Sequence, residues 1–136
     1  MDKKLFIYIL IIIIASNIYI YSKNNNFEIE VYYFHATARC EGCLKIESYT
    51  YSSLNKYFKK EINNGLIKIK SIDFLLPENE HYSQKYNFDT QTLIISKKVN
   101  GEEIAWKNLD KIWDYSSNYS KYSKYIINEI NNFLKN

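Results

Sequence analysis

A chain of 136 residues with a formal net charge of +3 has material for one domain and little more. Setting aside Lys3, Lys4, Lys23 and Asp2 leaves 15 basic against 14 acidic residues from Asn24 onward. So even a balance gives no basic face for phosphates and excludes nucleic acid as a partner.

The N-terminus sets the expected compartment. Asp2-Lys3-Lys4 precedes Leu5-Phe-Ile-Tyr-Ile-Leu-Ile-Ile-Ile-Ile-Ala15, and apolar character continues to Tyr21 before Lys23. Lysines before an uncharged apolar run mark an export segment whose positive end stays inside. Residues 1–23 are therefore expected to be a signal peptide or membrane anchor, with the membrane entered through residues 5–21. No Ala-x-Ala cleavage site is present, which favours the anchor, and no cysteine lies near residue 20 to carry a lipid. The following domain, 24–136, is expected on the extracytoplasmic side, where a disulfide persists.

Phe27–Ala36 alternates and then turns wholly apolar, as a buried strand does. Thr37-Ala-Arg39 is a short loop. A helix is expected from Glu41 to about Glu61, closed by Asn63-Asn64-Gly65. Between strand and helix lies Arg39-Cys40-Glu41-Gly42-Cys43, which contains the chain's two cysteines. A strand that delivers Cys-x-x-Cys to a helix N-terminus builds a thiol–disulfide site, because free amide N–H groups and the helix dipole stabilise a thiolate there. Cys40 is the expected nucleophile and Cys43 the resolving thiol. A cross-link three residues long closes too small a loop to stabilise a fold much, which counts against a purely structural disulfide. Two cysteines supply half of a tetrahedral metal set, so a soft-metal carrier, of copper for example, is a lesser alternative. No metal site is expected. Leu44 stands where attached haem would need histidine, and no cofactor is expected.

Three neighbours join the site. Arg39 should lower the Cys40 thiol pKa and Glu41 raise it. Glu47, four residues past Cys43 on one helix face, is a candidate proton acceptor, with an exposed helix acid as the alternative. His35 ends the first strand beside the cysteine loop and could transfer protons there or orient the loop; a packed strand-end histidine is the alternative.

Leu66–Phe74 alternates as a second strand. Pro77-Glu78-Asn79-Glu80 opens a short helix to about Tyr86, with proline and acids in its first turn. Thr90–Ser96 is the third strand, Lys98-Val-Asn-Gly101 an Asn-Gly hairpin turn, and Glu102–Trp106 the fourth strand. Leu109, Ile112 and Trp113 return to helical spacing, Ser116-Ser117-Asn118 interrupts, and an amphipathic helix runs from about Tyr119 to Leu134. Trp106 and Trp113 are read as core and helix-packing residues, with a docking surface for a redox partner as the alternative.

The order β-α-β-α-β-β-α, with Cys-x-x-Cys opening the first helix, resembles the thioredoxin fold: an α/β domain with a mixed four-stranded sheet flanked by helices. Val31-Tyr-Tyr-Phe-His35, Arg39-Cys40-Glu-Gly-Cys43 and Ile46-Glu47 further resemble an exported thioredoxin-like family, the nitrophenyl compound nitroreductase subunit ArsF family. Pro77-Glu78-Asn79-Glu80-His81 and Trp106-Lys-Asn-Leu-Asp-Lys-Ile-Trp113 extend that likeness over roughly residues 28 to 134. The resemblance implies a membrane-tethered thiol–disulfide oxidoreductase or electron carrier. Its partners would be a protein disulfide or dithiol and a membrane redox protein. A non-catalytic binding domain on the same fold is the alternative.

It also implies a substrate-binding loop at Thr90, Gln91 and Thr92, facing Cys40. Thioredoxin has a cis-proline where this chain has Gln91. A cis bond without proline costs about 3 kcal/mol, so a trans peptide is expected. Thioredoxin's buried first-strand acid is replaced at about Tyr33.

Overall fold

The computed structural model describes Ile7, Tyr8 and residues Phe27 to Lys135. The export segment expected at 1–23 lies outside the described residues except for those two, and no helix among the described residues is long and apolar enough to cross a membrane.

The elements are β1 (Phe27–His35), α1 (Glu41–Tyr57), α2 (Lys59–Asn63), β2 (Ile67–Asp73), α3 (Glu80–Tyr86), β3 (Thr92–Val99), β4 (Glu102–Asn108) and α4 (Tyr119–Lys135), with single 3-10 turns at Pro77–Asn79 and Asp110–Ile112. They form one four-stranded sheet in the order β2-β1-β3-β4. β1 is parallel to β2 and antiparallel to β3, and β4 is antiparallel to β3. This is the mixed sheet the sequence predicts.

β1 turns wholly apolar over Val31-Tyr-Tyr-Phe34 because both of its edges and both of its faces are covered there. Ile29, Val31 and Tyr33 face a core built with Ile46 and Leu54 of α1 and Tyr122, Ile126 and Ile130 of α4. Tyr32 and Phe34 face a smaller aromatic core with Phe74, Tyr86 of α3 and Ile94. Helices α1 and α4 thus share one face of the sheet and α3 takes the other. Thr50 of α1 and Tyr122 of α4 share a 2.7 Å hydroxyl–hydroxyl bond that locks the two helices together. Lys97, buried within β3, donates to the Phe133 carbonyl at 3.0 Å and so neutralises the negative end of α4.

Several boundaries differ from expectation for identifiable reasons. The helix expected to Glu61 breaks at Phe58 (φ −128°, ψ 26°), whose side chain turns into the core. β3 starts at Thr92 and runs on to Val99, beginning two residues and ending three residues later than expected, because pairing with β1 and β4 extends it through polar Lys97 and Lys98. The hairpin turn is the Asn-Gly kind: Asn100 and Gly101 both have positive φ (54° and 85°), as a type I′ turn demands. Trp106 and Trp113 are not core residues; they are 43% and 37% exposed.

The topology fixes where the loops meet. β1, β2 and β4 all end, and β3 begins, at the same edge of the sheet. The segments 36–40, 74–76, 88–91 and 109–113 are therefore neighbours.

Candidate thiol–disulfide site

Cys40 and Cys43 are joined by a disulfide bond, with their Cα atoms 5.0 Å apart. Cys40 is the N-cap of α1: its backbone is extended (φ −83°, ψ 161°), and its sulfur accepts the Cys43 amide N–H at 3.0 Å. That N–H is one of the unpaired donors every helix start leaves, so the outer sulfur sits where the helix end favours negative charge. Cys40 is exposed and Cys43 is 1% exposed. One sulfur can be attacked from outside; the other meets only its partner.

The protein behind the disulfide is polar and ordered. The buried Tyr33 hydroxyl donates to the Cys43 carbonyl at 2.8 Å. The Arg39 guanidinium pairs with Glu47 and lies 5.9 Å from the centre of the Tyr33 ring. Ser71 of β2 donates a second hydrogen bond to Glu47. Burial pushes the Glu47 carboxyl up, but the bonds from Ser71 and Arg39 and the charges of Arg39 and His35 outweigh it and hold the group below the usual carboxylate range. Glu47 is therefore an ionised, anchored acid rather than a free helix acid. The positive charge expected of Arg39 toward Cys40 is largely met by Glu47. Burial, with Glu47 adding and Arg39 opposing, pushes the Tyr33 phenol up to about 12, so it remains a donor in neutral solution.

His35 shares the Tyr33 face of β1, with the two rings 6.2 Å apart. Its Nδ1–H donates to the Ala36 carbonyl at 3.0 Å, and its own carbonyl accepts from Phe74 N–H. These bonds pin the point where the chain leaves the sheet for the cysteine loop.

The loop before β3 arrives at this end as expected. Thr92 pairs with Phe34 of β1, and its hydroxyl donates to Asn108 at 2.7 Å. Thr90 is exposed and its hydroxyl donates to the Gln91 side chain at 3.0 Å. No peptide bond among the described residues is cis, so Gln91 follows a trans bond. The Gln91 carbonyl accepts the Trp113 indole N–H at 3.0 Å. The same indole reaches the cysteine turn: a Cβ on Gly42 would stand 3.6 Å from Trp113 Cζ3 and 3.9 Å from Cys40 Sγ. Trp113 thus links the Gln91 loop to the disulfide.

Trp113 is the site residue that spacing missed, since a tryptophan in a helical apolar pattern reads as core. The available signal was that Leu109 and Ile112 already fill the inward positions of that short turn. Ser71 was missed because nothing in a strand sequence says which helix acid it will meet. Among the described residues no group of three or more His, Cys, Asp and Glu side chains is placed to hold a metal ion.

No family model matches the chain, and no curated protein does either. Solved structures with a similar fold include thioredoxin O2 from Arabidopsis thaliana in its oxidised state, at 20% identity over 69% of this chain and 74% of that one, with a TM-score of 0.43. The germline-specific thioredoxin Deadhead of Drosophila melanogaster is 18% identical over 78% of this chain and 90% of its own, with a TM-score of 0.42. Fasciola hepatica thioredoxin is 18% identical over 77% and 93%, with a TM-score of 0.40. These likenesses are loose. The domain is thioredoxin-like on its strand order and on the Cys-x-x-Cys at the start of α1.

Proposed function

We propose that this chain is a thiol–disulfide oxidoreductase or electron carrier that uses Cys40 and Cys43. One observation carries the reading: an exposed sulfur caps a helix, accepts a helix-end N–H, and is bonded to a buried partner one turn on. In the reduced protein the Cys40 thiolate attacks one sulfur of a substrate disulfide. A mixed disulfide forms and the first substrate thiolate leaves. Cys43, as thiolate, then attacks Cys40 Sγ, the second substrate thiolate leaves, and the Cys40–Cys43 bond is restored. The substrate gains two electrons and the protein loses two; the same steps in reverse oxidise a dithiol.

Around this centre we assign His35 and Arg39 as positioning residues, Glu47 as the proton acceptor for Cys43, and the Thr90-Gln91-Thr92 loop as the surface where a substrate backbone docks. The apolar run at residues 5–21 would tether the domain outside the cytoplasm, where a membrane redox protein is the fitting electron partner. The motif likeness to the nitroreductase subunit family agrees with an exported thioredoxin-like protein and carries no claim of nitro-group reduction.

The test is exchange by the full-length chain with a model protein disulfide. Turnover should be lost in Cys40→Ser, while Cys43→Ser should accumulate a mixed disulfide on Cys40. Trapping on Cys43 in the reciprocal variant would reverse the assignment. No exchange in either direction, with a potential below about −300 mV, would make the bond structural. A reporter fused after Asn136 tests the compartment: activity only in its cytoplasmic form removes the tether.

A further inference from the structure

Four exposed apolar side chains, Leu44 (49% exposed), Leu75 (59%), Leu76 (40%) and Trp113, lie in segments that start from the end of the sheet carrying Cys40, while Tyr57, Ile104 and Trp106 are exposed elsewhere. Leu44 is in the first turn of α1, Leu75 and Leu76 follow β2, and Trp113 follows β4, so three separate segments bring them to one end. Exposed leucines cost solubility and gain nothing in the core. Trp113 is the fixed member of the group. Its N–H is held by the Gln91 carbonyl, its own carbonyl accepts from Ser116 N–H and the Ser116 hydroxyl, and its ring borders the same small space as Cys40 Sγ. A ring held by its N–H, on a backbone that Ser116 fixes, beside an attackable sulfur is a plate against which part of a substrate lies.

We propose that Trp113 is a specificity-determining residue that selects disulfides whose cysteine is flanked by a large apolar residue, such as Leu or Phe. The proposal rests on the thiol–disulfide reading above. A peptide whose sulfur reaches Cys40 brings its neighbouring side chain against the indole, which borders the same small space as Cys40 Sγ. A Leu or Phe there is desolvated against apolar surface, whereas a Ser or Glu gains nothing and can leave its polar group unpaired. The indole N–H is already engaged by Gln91, so Trp113 offers the incoming chain apolar surface and no donor.

Two peptides with one intermolecular disulfide each, identical except for Leu or Ser beside the cysteine, make the test with the reduced full-length chain. The wild type should favour the Leu peptide by about tenfold in kcat/KM, the range one apolar pocket supplies. In Trp113→Ala the loss should fall on the Leu peptide and bring the two within about twofold. Trp113→Phe keeps a plate without the N–H and should retain most of the preference, which a merely structural role for Trp113 would not require. Equal rates on the two peptides in the wild type, or a preference that survives Trp113→Ala, overturns the proposal. Glutathione disulfide separates the two levels: exchange with it but no peptide preference sinks only the specificity role, while no exchange with any disulfide sinks the oxidoreductase reading as well.

Discussion

The Tyr33 hydroxyl donates to the Cys43 carbonyl at 2.8 Å, so the central strand holds the helix turn that carries the inner sulfur. Tyr33 is fully buried, so nothing else can replace this donor if it is lost. Tyr33→Phe keeps the ring and removes one buried hydrogen bond, worth about 1 kcal/mol net. Urea unfolding of the oxidised protein should show an unfolding free energy lowered by that amount, seen as a lower midpoint with an unchanged slope. An unchanged midpoint would mean the bond gives no net stability.

Glu47 restrains Arg39. The guanidinium directly precedes Cys40 in the chain yet is spent on the Glu47 carboxylate, and its Nε is buried without a partner. Glu47→Gln leaves that positive charge uncompensated one residue from the nucleophile and also removes a negative charge from the site. Both changes favour the thiolate. Titration of thiolate absorbance in the reduced protein should therefore move the Cys40 transition to lower pH. A shift upward would show that Glu47 acts on Cys40 by some route other than Arg39.

Glu30 should dominate acid sensitivity. It is a 2% exposed carboxylate in the middle of β1, paired with Lys70 at 2.5 Å, with Lys98, and with the Tyr32 hydroxyl. Burial alone would raise its pKa, but the two lysines and Tyr32 outweigh burial and hold it at about 2, against 4.5 for a free glutamate. The folded-state pKa is depressed, so the stability from Glu30 is fully present above about pH 4.5 and is lost as pH falls toward 2. After allowance for screening, the amount is about 2 kcal/mol. Stability measured from pH 6 downward should decline through this window, and Glu30→Gln should flatten the decline while lowering stability at neutral pH. An equally steep decline in the variant would assign the effect to other carboxylates.

The sequence carried the architecture well because each element announces itself locally. β1 alternates and then turns apolar from Val31 with both faces covered, Asn100-Gly101 is a turn only positive φ satisfies, and Gly65 (φ 80°) follows the helix stop at Asn64. The cysteines, His35 and the Gln91 loop could be placed at one edge of the sheet from strand order alone. What spacing could not reach was the pairing of side chains from distant segments. Sequence reading gives Arg39 a charge effect on Cys40, but it does not reveal that Glu47, itself held by Ser71, pairs with the guanidinium. Trp113 has core neighbours in sequence, yet the short 3-10 turn at Asp110–Ile112 swings it outward over Gly42. The break at Phe58 likewise depends on a core position that only the assembled helix pair creates.

Gly42 offers the last test of how tightly the indole and the disulfide are packed. It lies in the first turn of α1, and its φ is outside the left-handed region, so no backbone strain opposes a side chain. A methyl group there would meet Trp113 Cζ3 at 3.6 Å and Cys40 Sγ at 3.9 Å, both ordinary van der Waals contacts. Alanine also removes the backbone entropy that glycine loses on entering a helix, up to about 1 kcal/mol in a helix interior and less in a first turn. Gly42→Ala should therefore raise stability by about 0.5 kcal/mol in urea unfolding. Gly42→Leu should give the opposite result, because a long side chain has no room between ring and sulfur and must push the indole off the Gln91 carbonyl. Tryptophan fluorescence of the folded state should change in the Leu variant and stay close to wild type in the Ala variant. Destabilisation by alanine would mean that the space bordered by Trp113 and Cys40 is already filled.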